Sequence, residues 1–434
     1  MKTKVDYIKV QGLQKKVFCI VLGVSLALQD VRFLGDLFGP SAASIGVIVI
    51  LFGFLSTRRN EKAGPLVLHV KELIISTTAI TLILLPTQET FLFGETVWVK
   101  ALKVAISMAL LLITLKYGQM FYILHKNLLA HVAYSYLITV YLGVFLEKLG
   151  LFPKVNKSFL HYTLNLTERP RGFATEPSTL AYSICVGIAL IALIQMKHVS
   201  WKRILLCSLL VSGFLVTISR GYIGTIALAV PFVSLILVLR RMEWLNKRLT
   251  ATLITSFLLV QSIFIGYLLR SNLWANYSRG ISDATREVWA QMSISGLFYS
   301  PFGAGYQGLI TAAPNYLRDY IQENSSRFSS SSLRELILTY SQSSDFAISP
   351  KTATSLFVIT SGIFGLAFLF NLIYRISYFA LLNDQVNFWE IFGIFLVLFT
   401  LLNYAGSLTS FAAFFLLGIY IERMKISRKY INVN

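Results

Sequence analysis

Residues 177–196 read Pro-Ser-Thr-Leu-Ala-Tyr-Ser-Ile-Cys-Val-Gly-Ile-Ala-Leu-Ile-Ala-Leu-Ile-Gln-Met, without one charged side chain. At ~1.5 Å per residue this run makes a helix of ~30 Å, the thickness of a bilayer's hydrocarbon core. Charges stand at its two ends, Glu176 before it and Lys197 after it. Working outward, comparable windows recur near 17–35, 40–56, 72–92, 100–123, 128–146, 203–219, 222–239, 250–269, 354–374, 387–404 and 407–421. The composition of the 434-residue chain agrees: 55% is AVILMFWYC and 14% is charged, against roughly 45–50% and 25% in an average soluble domain. The reading is an all-α polytopic membrane protein of about 12 transmembrane helices, a single integral membrane domain over 1–434. Its three cysteines, Cys19, Cys185 and Cys207, fall inside apolar runs, which leaves no disulfide framework and no cysteine metal site.

The charge of +19 would suggest nucleic acid in a soluble chain. Here membrane topology accounts for it, because positively charged short loops are retained in the cytoplasm, and no nucleic-acid partner is expected. With the N-terminus inside, 23 of the 39 Lys and Arg residues fall in cytoplasmic segments, among them Lys15, Lys16, Arg58, Arg59, Lys116, Lys126, Lys202, Arg203, Arg240, Arg241, Lys247, Arg248, Arg375 and Arg423. Both termini are then cytoplasmic. Two outward loops, 147–176 and 270–353, break the rule by carrying cations of their own. The second, between spans 9 and 10, holds six Arg and one Lys, and arginine is preferred where a planar fork must grip phosphate or carboxylate.

A loop of that length is usually functional or disordered, and this one has helical patterns. Ser282 can cap a helix through Val288, Trp289 and Met292, and Pro314 can open one through Tyr316, Leu317, Tyr320 and Ile321. A third, from Ser331 or Ser332, carries Leu333, Leu336, Ile337 and Tyr340 at helical spacing. Short amphipathic helices of this kind are expected to lie on the outer membrane surface, with the serine run 325–332 as a hinge.

Several chemistries are excluded. The chain has no GxxxxGK[ST], so ATP-driven transport is not encoded in it. Its five histidines, His69, His125, His131, His161 and His198, form no metal-binding pair at helical spacing, and only His161 faces outward. Three constellations remain, all on the outer side. Arg169-Pro-Arg171-Gly172-Phe-Ala-Thr-Glu176-Pro177-Ser178 opens the sixth span, with Pro177 suited to the first helical position and Glu176 to the cap. The bland reading makes the arginines interfacial anchors; the functional one makes Glu176 an outward-facing base among cations. Ser219-Arg220-Gly221 forms a turn so short that spans 7 and 8 must be antiparallel neighbours, and a charge at such depth usually serves a site. Arg286-Glu-Val-Trp289 is followed by Pro301-Phe-Gly303-Ala-Gly305-Tyr306, whose glycines alone are a weak turn signal.

Taken in order with Ser361-Gly-Ile-Phe-Gly365-Leu, which opens the tenth span, these pieces resemble the O-antigen polymerases of the Wzy type over about 165–370. The resemblance implies a GT-C-type membrane glycosyltransferase of the bacterial inner membrane with its site facing the periplasm. Such an enzyme transfers a growing glycan from undecaprenyl pyrophosphate to the non-reducing end of a lipid-linked repeat unit, with no nucleotide sugar, metal or other cofactor. Its partners would be undecaprenyl-pyrophosphate-linked oligosaccharides, the lipid bilayer and a chain-length regulator of the Wzz type. The leaving pyrophosphate would be held by Arg220 and Arg286, with Arg169, Arg171, Arg270, Arg279 and Arg318 as helpers. The acceptor hydroxyl needs a general base: Glu176 first, Asp345 second, His161 third. O-antigen ligases share the arginine-glycine turn and the long loop but usually carry a histidine near the loop's end, where this chain reads Ile348-Ser-Pro-Lys-Thr352. A ligase-like transferase and a flippase for lipid-linked oligosaccharide are the two alternatives.

Overall fold

Among the described residues, twelve helices overlap the twelve apolar windows: α1 (Lys2–Ala27), α2 (Ile45–Arg58), α3 (Val70–Leu84), α4 (Val97–His125), α5 (Leu129–Lys148), α6 (Pro177–Leu193), α7 (Val199–Thr217), α8 (Arg220–Arg241), α9 (Lys247–Arg270), α13 (Ala353–Leu382), α14 (Phe388–Asn403) and α15 (Phe411–Ile431). Between α9 and α13 lie α10 (Ile281–Tyr299), α11 (Gly308–Thr311) and α12 (Ala313–Asn324). A two-residue hairpin, Phe91–Leu92 against Glu95–Thr96, precedes α4. The computed structural model describes residues 2–29, 45–58, 70–88, 91–92, 95–151, 170–174, 177–194, 199–217, 219–270, 281–325, 333, 352–403 and 410–431.

Among the described residues, five stretches are long and apolar enough to cross a membrane: Val70–Thr87, Val97–Lys148, Ser200–Thr217, Gly221–Arg241 and Ala353–Leu382. The second of these is two helices, α4 and α5, joined by the 3₁₀ turn Lys126–Leu128. Their outer faces expose Leu82, Ile138, Leu215 and Leu235, which is stable only against lipid. The molecule is therefore an all-α membrane-embedded protein.

α14 is apolar around its whole circumference and sits at the centre, every residue from Glu390 to Asn403 being buried; a helix without a polar face must be enclosed. It packs on α6 and α8. α4 and α15 run antiparallel in the closest contact of the bundle. A Cβ at Gly118 would strike the Phe415 carbonyl, and one at Gly418 would strike the Leu115 carbonyl, so glycine on each helix lets the two backbones touch.

Cations gather at one end of the bundle and work there as helix caps. Lys202 Nζ donates to the Ala192 and Ile194 carbonyls at 2.5 and 2.7 Å, closing the end of α6. Lys247 Nζ donates to Leu239, Arg240 and Met242 at the end of α8. The Arg240 guanidinium donates to the Asn383 and Val386 carbonyls, both at 2.9 Å, after α13. The last carbonyls of a helix lack partners within it and carry its negative pole, so each cation is matched to what it touches. Arg423 pairs with the buried Glu390 at 3.7 Å, and Trp201 and Trp244 are exposed at this basic end.

Several expectations need correcting. α1 begins at Lys2 and α15 runs to Ile431, beyond the apolar windows at both points, because backbone hydrogen bonding continues where hydropathy has ended. Lys116 lies inside α4 rather than in a loop. Ser282 is the second residue of α10 and not its cap. α10 does not rest freely on a surface: Val288, Trp289 and Met292 are fully buried, and the helix is clamped to α13 by the Ser293–Ser355 hydroxyl pair at 2.9 Å. Pro314 does open α12, in the first turn after Ala312. Apart from Leu333 and Ser325, the third loop helix and the serine run fall outside the described residues.

Candidate functional site: a broken helix and its plug

α13 is two helices in one. At Gly362 the backbone takes φ 55°, ψ −129°, a conformation open only to glycine at low cost. A break in a helix releases carbonyls and amides that lipid cannot satisfy. Here the segment after α10 supplies the partners. Ala304 N–H donates to the Ile359 carbonyl at 2.9 Å and Gly305 N–H to the Thr360 carbonyl at 3.0 Å, while Ile363 N–H donates to the Pro301 carbonyl at 2.8 Å. Gly303 and Gly305 have φ of 92° and 74°, and a Cβ at Gly303 would lie 2.5 Å from the Thr360 carbonyl oxygen. The two glycine motifs, sixty residues apart in sequence, form one crossing.

α3 closes the third side. Tyr306 N–H donates to Thr81 Oγ1 at 2.8 Å, and the Thr81 hydroxyl donates to the Thr77 carbonyl at 2.8 Å. The Thr77 and Ser361 hydroxyls are hydrogen-bonded at 2.8 Å. Gln307, next in the chain, is fully buried, and neither amide atom meets a partner among the described residues. Leaving such a group unsatisfied costs roughly 1–3 kcal/mol. Around the crossing, Phe298, Tyr299 and Phe302 are exposed, the first at 81%, as an aromatic belt at a membrane–water boundary would be. From the break to the basic end, 363–382 spans ~30 Å of helix, one hydrocarbon thickness. Below the break a groove of about 630 Å³ runs along α9 and α13, lined by Leu259, Val260, Ile363, Leu366, Phe370 and Tyr374 among others.

The arginine-glycine segment before α6 lies at the same end of the bundle, away from the basic cluster. Arg171 N–H and Gly172 N–H both donate to Glu147 Oε2 at 2.7 Å, with Gly172 at φ 57°. Gly143 makes room for the Phe173 ring, which a Cβ there would approach to 2.5 Å. The Arg171 side chain is buried. Burial pushes its pKa down and Glu147 pushes it back up, and a guanidinium keeps its charge through such shifts. Glu147 is the functional candidate that sequence reasoning missed. Its signal is a carboxylate beside Lys148 at the end of an apolar run, which reads as an ordinary helix terminus until the chain folds back onto it.

Of the other candidates, Ser219 caps α8, accepting from Tyr222 N–H at 3.4 Å, which makes Arg220 the first helical residue. Arg286 lies in α10 and Arg270 ends α9; the side chains of Arg220, Arg270 and Arg286 are outside the described part. Arg318 is exposed on α12. Arg169, Glu176, Arg279, Asp345 and His161 are outside the described residues. The structure thus joins the glycine motifs to each other and the Arg171–Gly172 turn to Glu147. Compared with protein families, characterised proteins and solved structures, the chain matches none of them.

Proposed function

We propose that the chain is a glycosyltransferase of the O-antigen polymerase type, with about twelve spans in a GT-C-like arrangement, the basic end and both termini in the bacterial cytoplasm and the broken helix facing the periplasm. The observation that carries the reading is the crossing at Gly362. Two of the four motif pieces in the resemblance, Pro301-x-Gly303-x-Gly305 and Ser361-Gly362, meet there through backbone hydrogen bonds, away from the lysine caps and beside outward-facing aromatics. A donor linked through undecaprenyl pyrophosphate would present its reacting bond at that level, with its tail in lipid and its sugars in water.

In this reading Arg220 and Arg286 neutralise the charge that develops on the leaving pyrophosphate, with Arg171 and the other outer arginines adding to the local field. Glu176 takes the proton from the acceptor hydroxyl, Asp345 being the alternative. A flippase for lipid-linked oligosaccharide is the second reading, because transporters also use helices broken within the membrane. The test is to incubate the purified full-length protein in nanodiscs with only a lipid-pyrophosphate-linked repeat unit. A ladder of longer glycans, formed without nucleotide or metal, is the expected result. Movement of the unit across proteoliposome membranes without any lengthening would replace the polymerase with the flippase.

A further inference from the structure

Arg375 belongs with the cytoplasmic cations by its sequence, yet it lies inside α13, seven residues before Leu382. At ~1.5 Å per residue that is ~11 Å from the end of the helix, within the length that lipid covers. A charge at such depth is costly and ordinarily has a partner. The other cations described at the basic end have theirs: Lys202 and Lys247 reach helix carbonyls, Arg240 meets Asp384 at 3.5 Å, and Arg423 meets Glu390. Arg375 pairs with no carboxylate among the described residues. Its Nε donates to Asn371 Oδ1 at 2.9 Å, and the terminal fork of the guanidinium is left without an anion.

That bond aims the side chain. Asn371 stands one turn nearer the break and lines the groove along α9 and α13, so the guanidinium is held at the groove's edge instead of snorkelling toward the helix end. Beyond it the walls are apolar. The Phe370, Tyr374 and Tyr378 rings stack in a column, with centroids 6.3 and 5.7 Å apart and interplanar angles of 7° and 6°. Ala367, Leu366 and Ile363 continue this wall to the break, and Leu259 and Val260 face it from α9. From Ile363 to Tyr374 is ~17 Å of helix, against ~15 Å for one leaflet's share of the hydrocarbon core. Val260 and Ile363 are more than half exposed, so the groove already stands open to lipid.

We infer that this groove is a binding site for an anionic phospholipid of the leaflet at the basic end, its phosphate on Arg375 and one acyl chain along the aromatic column. A guanidinium fork matches two phosphate oxygens, and an arginine at this depth draws headgroups toward itself by thinning the bilayer locally. An anionic headgroup, unlike a choline one, brings no cation to compete with Arg375. The site lies apart from the reaction proposed at the break and does not depend on it.

The test places the full-length protein in nanodiscs of phosphatidylcholine, with and without phosphatidylglycerol, and reads bound lipid by native mass spectrometry and heat stability in parallel. The wild type should retain phosphatidylglycerol in preference to phosphatidylcholine and unfold at a higher temperature when it is present. Arg375→Gln should bind it about tenfold more weakly and lose the temperature shift. Leu366→Trp, which fills the groove and keeps the arginine, should do the same, and both variants should unfold like the wild type in phosphatidylcholine alone. Equal retention of the two lipids by the wild type overturns the site, as does wild-type binding by either variant. Loss of heat stability by Arg375→Gln in phosphatidylcholine alone also overturns it, by making the arginine an internal tie. Polyprenyl phosphate that displaces phosphatidylglycerol at equal supply overturns the phospholipid as occupant.

Discussion

At the scale of single residues, Glu147 is the least expected participant. One carboxylate oxygen receives two successive backbone N–H groups at 2.7 Å, and hydrogen bonds to a charged partner are each worth about 1.5–3 kcal/mol. It holds the Arg171–Gly172 turn, and in the proposed mechanism it is a positioning residue for Glu176. Glu147→Gln keeps the shape and loses the charge; the expected outcome is a stability loss of about 1–3 kcal/mol with polymerisation slowed by a lower kcat at unchanged KM. Thermal unfolding and turnover read the two separately, and a variant with normal kcat would leave Glu147 a helix-end anchor. Glu176→Gln removes the negative charge in the same way at the next helix start. It should leave insertion and lipid binding intact while extending chains at least about tenfold more slowly, the soft end of the range for a general base. Should Glu176→Gln run at the wild-type rate and Asp345→Asn fail, the proton passes to Asp345.

At the scale of elements, the break in α13 concentrates the strain of the fold. A Cβ at Gly362 would strike the Pro301 carbonyl and lie 2.4 Å from Gly303 N, in a backbone conformation that costs a non-glycine residue ~1–3 kcal/mol. Gly362→Ala should therefore destabilise by ~3 kcal/mol or more, seen as a lower unfolding temperature in detergent, while Gly12→Ala, whose Cβ meets nothing within 4 Å, should not. The sequence announced the apolar run 354–374 and the motif at Ser361, yet not the break, because an isolated glycine is tolerated in a helix and its positive φ is set by a partner sixty residues away. Pro231 lies inside α8 and interrupts the apolar pattern no more than Gly362 does. Helix ends were blurred for a related reason: hydropathy reports where lipid is, and α1 and α15 continue past it.

At the scale of the molecule, the cations that suggested orientation are also those that finish the helices. Lys202, Arg240 and Lys247 each reach the carbonyl end of a helix pointing the same way, so the charge bias and the helix poles tell one story. Reporter fusions after Arg203 and Arg248 should read cytoplasmic, and fusions at Lys157 or Ser330 external; a cytoplasmic signal at Ser330 would put the arginine-rich loop in the wrong compartment and end the polymerase reading. The apolar windows were legible because lipid tolerates so few charges. The candidate site was legible only as fragments, since the hydrogen bonds that assemble it join residues far apart in the chain. The close approach of α4 and α15, with Gly118 against Phe415 and Gly418 against Leu115, has a mechanical meaning. Backbones that touch at two glycines, with the Tyr117, Phe121 and Phe415 rings packed beside them, resist sliding, so α4 and α15 form a rigid keel. Any rearrangement of the bundle therefore carries α4 and α15 together as one unit.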